Sequence, residues 1–395
     1  MLLAITQGNL LPLSPSPLPF PRQASSFRAW GCSARRRSPA PFPICAASEY
    51  PTPSAPPRRL TRGFSSSSSS PPPQPDHILP DEEEMEEADI GMWIGEGNGE
   101  GRGQKKKHLS ELSSWGIGGP CRYFLEASSP SQLISAVRYC RARSVPFLIV
   151  GKGSNCLFDD RGFDGCVILN RLNSTERTGP GAYRVGSGYP FNRLGVECSR
   201  DGYSGLEFAG GVPGTVGGAA FMNAGANGQE TSDCIESVQI STTQGWVRVL
   251  DRDDLTFGYR RSCFQEMEDL AAILAVTFRL TPSVSALEQQ RRFLERRRKS
   301  QPLGEKSAGS VFRNPHDSEM SAGQLIEKAG LKGFKLGGAK VSEVHANFFI
   351  NFDGSTSRDM RGLISLVKEK VHQKFGVELH EEVRYVSYNV IERVR

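Results

Sequence analysis

The sequence contains no Cys-x-x-Cys pair, and its 9 cysteines fall at irregular spacing. That argues against a disulfide framework and against a zinc site, and for free, mostly buried thiols in a reducing compartment. No apolar run approaches the roughly 18 residues that a membrane span needs, so a soluble chain with no membrane partner is expected. A complete G-x-G-x-x-G fingerprint is missing as well. In "LIVGKGSN" (Leu148 to Asn155) two glycines are followed by Ser, Asn and then Cys156, which disfavours a dinucleotide-binding Rossmann unit. The formal charge of +5 is modest, and the one strongly basic helix lacks interleaved aromatics, so nucleic acid is not an expected partner.

Acidic residues are absent from positions 1 to 48, which carry Arg22, Arg28 and the triplet Arg35, Arg36, Arg37 among Ser, Pro and Ala. That composition reads as an organelle transit peptide without regular structure. "ICAAS" (Ile44 to Ser48) resembles a plastid processing site, so the plastid stroma is the expected destination, with the mitochondrion as the alternative. The next segment, residues 49–107, holds "SSSSSSPPPQP" and "DEEEMEEAD". It has too little apolar surface to build a core and reads as a disordered linker.

From Ser110 onward the pattern is α+β. "SPSQLISAVRYCRARS" puts Leu133, Val137 and Cys140 on one helical face and runs into the strand "FLIV". "GCVILN" and "YRVGSG" read as strands, and "PFNRLGVECSRDG" as a helix opened by Pro190 and closed by Gly202. "CIESVQIS", "TTQG" and "WVRVL" make a hairpin, and "AAILAVTFRL" a further strand. Residues 108–282 form one domain on this reading, and residues 283–395 a second. The second begins with the basic helix "SALEQQRRFLERRRKS" and continues with the short helix "SAGQLIEKAG" and the strand "ANFFINF". A long helix follows, with Ser357 as N-cap, Met360, Ile364, Val367 and Val371 as its buried stripe and Gly376 at its end. "EEVRYVSYNVI" is expected as the last strand.

The stretch "GLEFAGGVPGTVGGAAFMNAGANGQE" (Gly205 to Glu230) is dense in glycine and alanine. Glycine weakens regular structure by roughly 0.5–1 kcal/mol relative to alanine, and close approach of backbone to a ligand is the usual compensation. "PGTVGGA" (Pro213 to Ala219) can turn tightly and open a helix whose first amides face an anion. "LIVGKGSN" offers a second anion-binding turn. Two phosphate-cradling loops in one domain imply a polyphosphate or dinucleotide ligand.

Taken in order, "SSWGIGGP", "VGKGSNCLFDDRGFDG", the stretch 205–230, "GYRRS", "SAGSVFRNP", "AGLKGFKLGGAKVSEVHANFFIN" and "EEVRYV" resemble the UDP-N-acetylenolpyruvoylglucosamine reductase (MurB) family over about residues 108–388. The resemblance implies a two-part FAD-binding domain of the vanillyl-alcohol-oxidase (PCMH) type followed by a MurB C-terminal substrate domain. It implies noncovalent FAD, since no His stands in the first loop, with NADPH as reductant, a UDP-sugar as substrate and no metal. FAD would lie against Gly151, Gly153, Ser154 and Asn155 in one loop, Pro213, Gly214, Thr215, Gly217 and Gly218 in the other, and Asn223 and Gly225 beyond.

In the implied reaction an enolpyruvyl ether becomes a lactyl ether, and negative charge builds beside the carboxylate. Arg260 matches the residue that polarises that carboxylate, a task suited to its fixed fork of donors. Ser310 matches the general acid, and Glu382 the carboxyl group that assists Arg260. Tyr259, Asn314, Lys332 and His345 match positions lining the UDP-sugar or nicotinamide cleft, with Lys299 or a neighbouring arginine toward the diphosphate. The short path from Pro315 to Ala322 resembles the subgroup without a long substrate-covering loop, and a monomer is expected. Asn227 departs from the family by standing where an aromatic would contact ligand. That substitution is what favours the alternative, a flavoprotein acting on a different sugar; a third reading is a nucleotide-binding protein without turnover.

Overall fold

The computed structural model describes residues 2–5 and 107–389. Of the expected leader only Leu2–Ile5 is among them. It pairs antiparallel with Phe147–Val150, where the sequence suggests no regular structure; the processing site and residues 49–106 lie outside the described residues.

The first sheet sets Phe147–Val150 and Cys121–Ala127 on either side of Phe163–Asn170, both pairings parallel. The crossover between the outer two is the helix Pro130–Ala142. Ser129 caps it by accepting from Gln132 N while the Gln132 side chain returns the bond, which satisfies two of the amides a helix start leaves open. Leu133, Val137 and Cys140 are buried together with Leu125, Ile149 and Ile168.

The second sheet is antiparallel, in the order Val247–Asp251, Ile235–Thr242, Leu270–Arg279, Ala182–Gly186, Thr175–Gly179. Its central strand serves two cores: Ala272 and Leu274 face the helix Pro130–Ala142, while Val276 and Phe278 join the core around Phe191 and Phe221. Ile273 belongs to that second core too, out of phase with Val276. A register shift between Gln239 and Ile240 of the neighbouring strand marks the bulge, and an extra residue at a bulge flips side-chain parity.

The C-terminal part packs the helix Ser357–Phe375 over Ala339–Val341 and Phe349–Asn351. Met360, Ile364, Val367 and Val371 are buried, and Gly376 ends the helix at φ +69°. The N-cap is Thr356 rather than Ser357: Thr356 and Asp359 exchange a reciprocal capping box, and the Ser357 hydroxyl donates instead to Asp160 Oδ2 at 2.8 Å. The expected last strand is shorter, Arg384–Val386, because Glu381 bridges to Phe312 and Glu382 N donates to Val311 O just before it. "ANFFINF" shortens to Phe349–Asn351 as Asn347 turns its side chain onto both backbone groups of Phe312.

These parts interlock. Arg384–Val386 runs parallel to Cys156–Phe158, and Trp115, fully buried, donates from Nε1 to Phe349 O at 2.8 Å. Tyr385 donates to Asp159 Oδ2 at 2.6 Å, and Arg161 pairs with the same carboxylate at 2.9 Å. Arg161 and Tyr385 hold Asp159 far below the ordinary carboxylate range, while burial and that carboxylate push Tyr385 up to about 12. Among the described residues no helix is long and apolar enough to cross a membrane.

Candidate active site

Both glycine-rich loops open onto one cleft of about 290 Å³. Thr215 caps the helix Val216–Met222 by accepting from Gly218 N, so the helix start and its amides are held by the loop's own side chain. The loops are also tied together. Ser154 Oγ donates to Pro213 O at 3.1 Å, and Gly151 lies so close to Thr215 that a Cβ there would stand 2.6 Å from its Oγ1.

Three residues distant in sequence meet at this cleft. Arg260 sits at a hairpin turn with φ +57°, a left-handed conformation that a long side chain rarely adopts and that costs of order 1–3 kcal/mol. Its guanidinium donates from Nε to Glu382 Oε1 at 2.8 Å and from Nη2 to Gly225 O at 2.9 Å. Glu382 is fixed through its backbone: its N donates to Val311 O at 2.7 Å, and its carbonyl accepts from Asn155 Nδ2 at 3.0 Å. The first contact sets Glu382 beside Ser310, the second ties it to the first glycine loop. Burial raises the pKa of Glu382, and the charge of Arg260 opposes that rise. Arg260, Ser310 and Glu382 all line the cleft.

Of the other expected residues, Gly153, Ser154, Asn155, Pro213, Gly214, Thr215, Gly218 and Gly225 line the cleft, and Gly151 and Gly217 do not. Gly151 meets Thr215, and Gly217 meets Ser187, where a Cβ would lie 2.7 Å away; their role is packing. Asn223 is buried, ends the helix at φ +43° and donates to Glu230 Oε2 and Gly258 O.

None of the five expected substrate residues lines the cleft. Lys299 is exposed and pairs with Glu295, and Lys332 pairs with Glu327. The His345 ring meets Phe348 at 4.8 Å, tilted by 59°, and burial lowers its pKa. Tyr259 Oη accepts from Asn314 N, whose side chain in turn accepts from Ala322 N. Asn227 is exposed, not on the cleft lining, and stands at φ +56° followed by Gly228 at φ +80°. Between paired Gly225–Ala226 and Gln229–Glu230, Asn-Gly is the favoured pair for such a two-residue turn, so its backbone accounts for this residue.

Arg297, an arginine neighbouring Lys299, lines the cleft, and so do Lys152, Gln301 and Arg384, which were not singled out from the sequence. Arg384 follows Glu382 at the two-residue period of an extended chain, a signal that was available.

The sequence model for an FAD binding domain matches residues 121–251, and that for the UDP-N-acetylenolpyruvoylglucosamine reductase C-terminal domain matches residues 301–386. The reductase of Protochlamydia amoebophila is 49% identical over 282 residues, covering 71% of this chain and 93% of its own. The chain belongs to the UDP-N-acetylenolpyruvoylglucosamine reductase family. The family enzyme of Chlamydia trachomatis serovar A is 42% identical over 287 residues, 73% of this chain and 97% of its own. The crystal structure of the Thermus caldophilus enzyme superposes with a TM-score of 0.60 at 31% identity, covering 71% of this chain and 98% of that one.

The residues present fit the dinucleotide that a reductase of this family implies. Four cationic side chains, Lys152, Arg260, Arg297 and Arg384, face the cleft against the single carboxylate of Glu382. Buried polar atoms of Arg297 and Gln301 lack hydrogen-bond partners among the described residues. Backbone amides and cations around bare loops are what a diphosphate requires.

Proposed function

We propose that the protein reduces UDP-N-acetylglucosamine enolpyruvate to UDP-N-acetylmuramate, a step of peptidoglycan precursor synthesis, with noncovalent FAD and with NADPH as reductant. The observation that carries this reading is the convergence of Arg260, Ser310 and Glu382 on the cleft lined by both glycine loops. Gly153 to Asn155 in one loop and Pro213 to Thr215 with Gly218 in the other would hold FAD, which would carry two electrons from NADPH to the enol ether.

The chain's own residues do the rest. Arg260 grips the substrate carboxylate and offsets the charge that develops there, in a site where such a cation needs no reorganisation at the moment of reaction. Glu382 holds Arg260 in place through their 2.8 Å bond, with Gly225 O on Nη2 and Glu230 3.8 Å from Nη1. Ser310 gives its hydroxyl proton to the carbon next to the carboxylate; a serine is a weak acid, and the cations lining the same cleft favour the alkoxide it leaves. Tyr259, Asn314, Lys332, His345 and Lys299 lie off the cleft lining, so their substrate role would require the bound sugar to reach beyond it.

The short Pro315–Ala322 path supports an open cleft without a long covering loop. The composition of residues 1–48 supports import into the plastid stroma, with the mitochondrion as the alternative, and import of the tagged full chain into isolated organelles tests it. A monomer is the working state.

The purified full chain is expected to be yellow and to oxidise NADPH only when UDP-N-acetylglucosamine enolpyruvate is present. NADPH oxidation indifferent to that sugar would point to another substrate. A chain that takes up no FAD would end the flavin reading altogether.

A further inference from the structure

The basic helix Ala286–Ser300 turns one face into the protein. Ala286 and Gln290 are buried and Phe293 packs on the adjoining core. Arg297 continues that face at the i, i+4, i+7, i+11 spacing of a single helical stripe. The stripe lies on bare backbone: a Cβ on Gly210 would stand 2.5 Å from Gln290 Nε2, and one on Gly211 2.7 Å from Arg297 Cδ. The helix therefore rests on the chain that leads into the loop Pro213–Thr215.

Arg291, Arg292, Arg296 and Arg298 are exposed. Of the helix's arginines, only Arg297 lines the cleft. Its Nε is buried with no hydrogen-bond partner among the described residues, and four residues on, Gln301 Oε1 is in the same condition on the same cleft. Burial pulls the Arg297 pKa down, with no carboxylate acting against it. A buried cation with an unmade bond is strongly unfavourable unless something completes it. The unmatched set is a cationic donor beside an acceptor. It fits a ligand segment that carries anionic oxygen next to hydroxyl groups.

We propose that Arg297 is the side-chain clamp for the phosphate and ribityl arm of the bound flavin dinucleotide, with Gln301 accepting from a hydroxyl of that arm. This deepens the flavin reading above and rests on it.

The test uses the full chain stripped of flavin and titrated with FAD or with riboflavin, which keeps the ring and ribityl chain and lacks phosphate. Arg297→Met is expected to weaken FAD binding about 10- to 100-fold, the range of a lost charge-assisted hydrogen bond, and Arg297→Lys to recover part of it. Riboflavin binding, whatever its strength, stays the same in parent and variant. Thermal unfolding separates this role from a structural one. Without flavin, Arg297→Met is at least as stable as the parent, because it removes an unpaired buried charge, while added FAD raises its Tm less.

Unchanged FAD affinity in Arg297→Met overturns the proposal. So does a lower flavin-free Tm, or an equal loss for FAD and riboflavin. A parent that binds FAD beside an unaffected variant overturns this proposal alone; a parent that binds none overturns the flavin reading and this proposal together.

Discussion

Arg260 donates from Nε to Glu382 Oε1 at 2.8 Å, joining a strained hairpin turn to a segment that arrives from the far end of the chain. Neither residue holds that geometry alone. The left-handed φ of Arg260 is over-determined by Gly225 O and by Gln265, whose Nε2 donates to Arg260 O at 3.2 Å. Arg260→Met is expected to lower kcat about 10²- to 10³-fold, the scale of a lost charge-stabilising donor, with the bound-flavin spectrum unchanged. Arg260→Lys recovers little, since an ammonium cannot make both bonds of the fork at once.

Glu382 gives that pair a pH dependence. Burial raises its pKa, so acidification protonates it before an ordinary glutamate, whose pKa is about 4.3, and the hold on Arg260 is lost. The kcat profile should fall on its acid side at a pH above that value. Glu382→Gln should lower kcat at neutral pH and erase this limb; a limb that persists in the variant belongs to another group.

On the proposed role, Ser310→Ala removes the proton donor for the second half-reaction alone. Flavin bleaching by NADPH should proceed at the parent rate, while reoxidation by the enolpyruvyl sugar slows about 10²- to 10⁴-fold, the contribution typical of general acid catalysis. Stopped-flow absorbance resolves the two halves, and equal loss in both would assign Ser310 to binding.

The Asp159 clasp sets a stability signature. Its pKa is lowered by Arg161 and Tyr385, so its contribution is complete above about pH 4, the ordinary aspartate range, and fades as pH falls from there toward the native value. Tyr385→Phe should cost about 1.5–3 kcal/mol at pH 7, the scale of one hydrogen bond to a charge, and flatten the acid-side slope in denaturant titrations.

Asn227 is expected to answer to backbone, not ligand. Asn227→Gly should be nearly neutral in thermal unfolding, whereas Asn227→Ala costs about 1 kcal/mol because alanine keeps the Cβ but loses the short polar side chain that eases a positive φ. KM for the sugar should stay unchanged in both; a shifted KM would return Asn227 to the substrate site.

Local order was legible wherever neighbours in sequence decide the outcome. The helices Pro130–Ala142 and Phe191–Arg200 follow from apolar spacing and end signals, and Thr215 opens its helix as the glycine pattern suggests. Misreadings came from choices between adjacent residues and from helical phase. Thr356 wins the cap over Ser357 because Asp359 lies three residues on and completes the box. Lys299 points outward while Arg297 lines the cleft, since a two-residue step turns a helix by roughly 200°. What no local pattern carries is the parallel pairing of Arg384–Val386 with Cys156–Phe158, or the bond from Asn155 to the Glu382 carbonyl.

That late pairing has a consequence for how the enzyme comes into being. Glu382 stands 227 residues beyond Asn155 in the chain, yet with Arg384 it forms the wall against which the first glycine loop is set. A chain folded only as far as its glycine loops holds them without the carboxylate and guanidinium partners that complete them. Chemistry is therefore withheld until the C-terminal part has docked, and a fragment clipped just before Glu382 is expected to lose turnover.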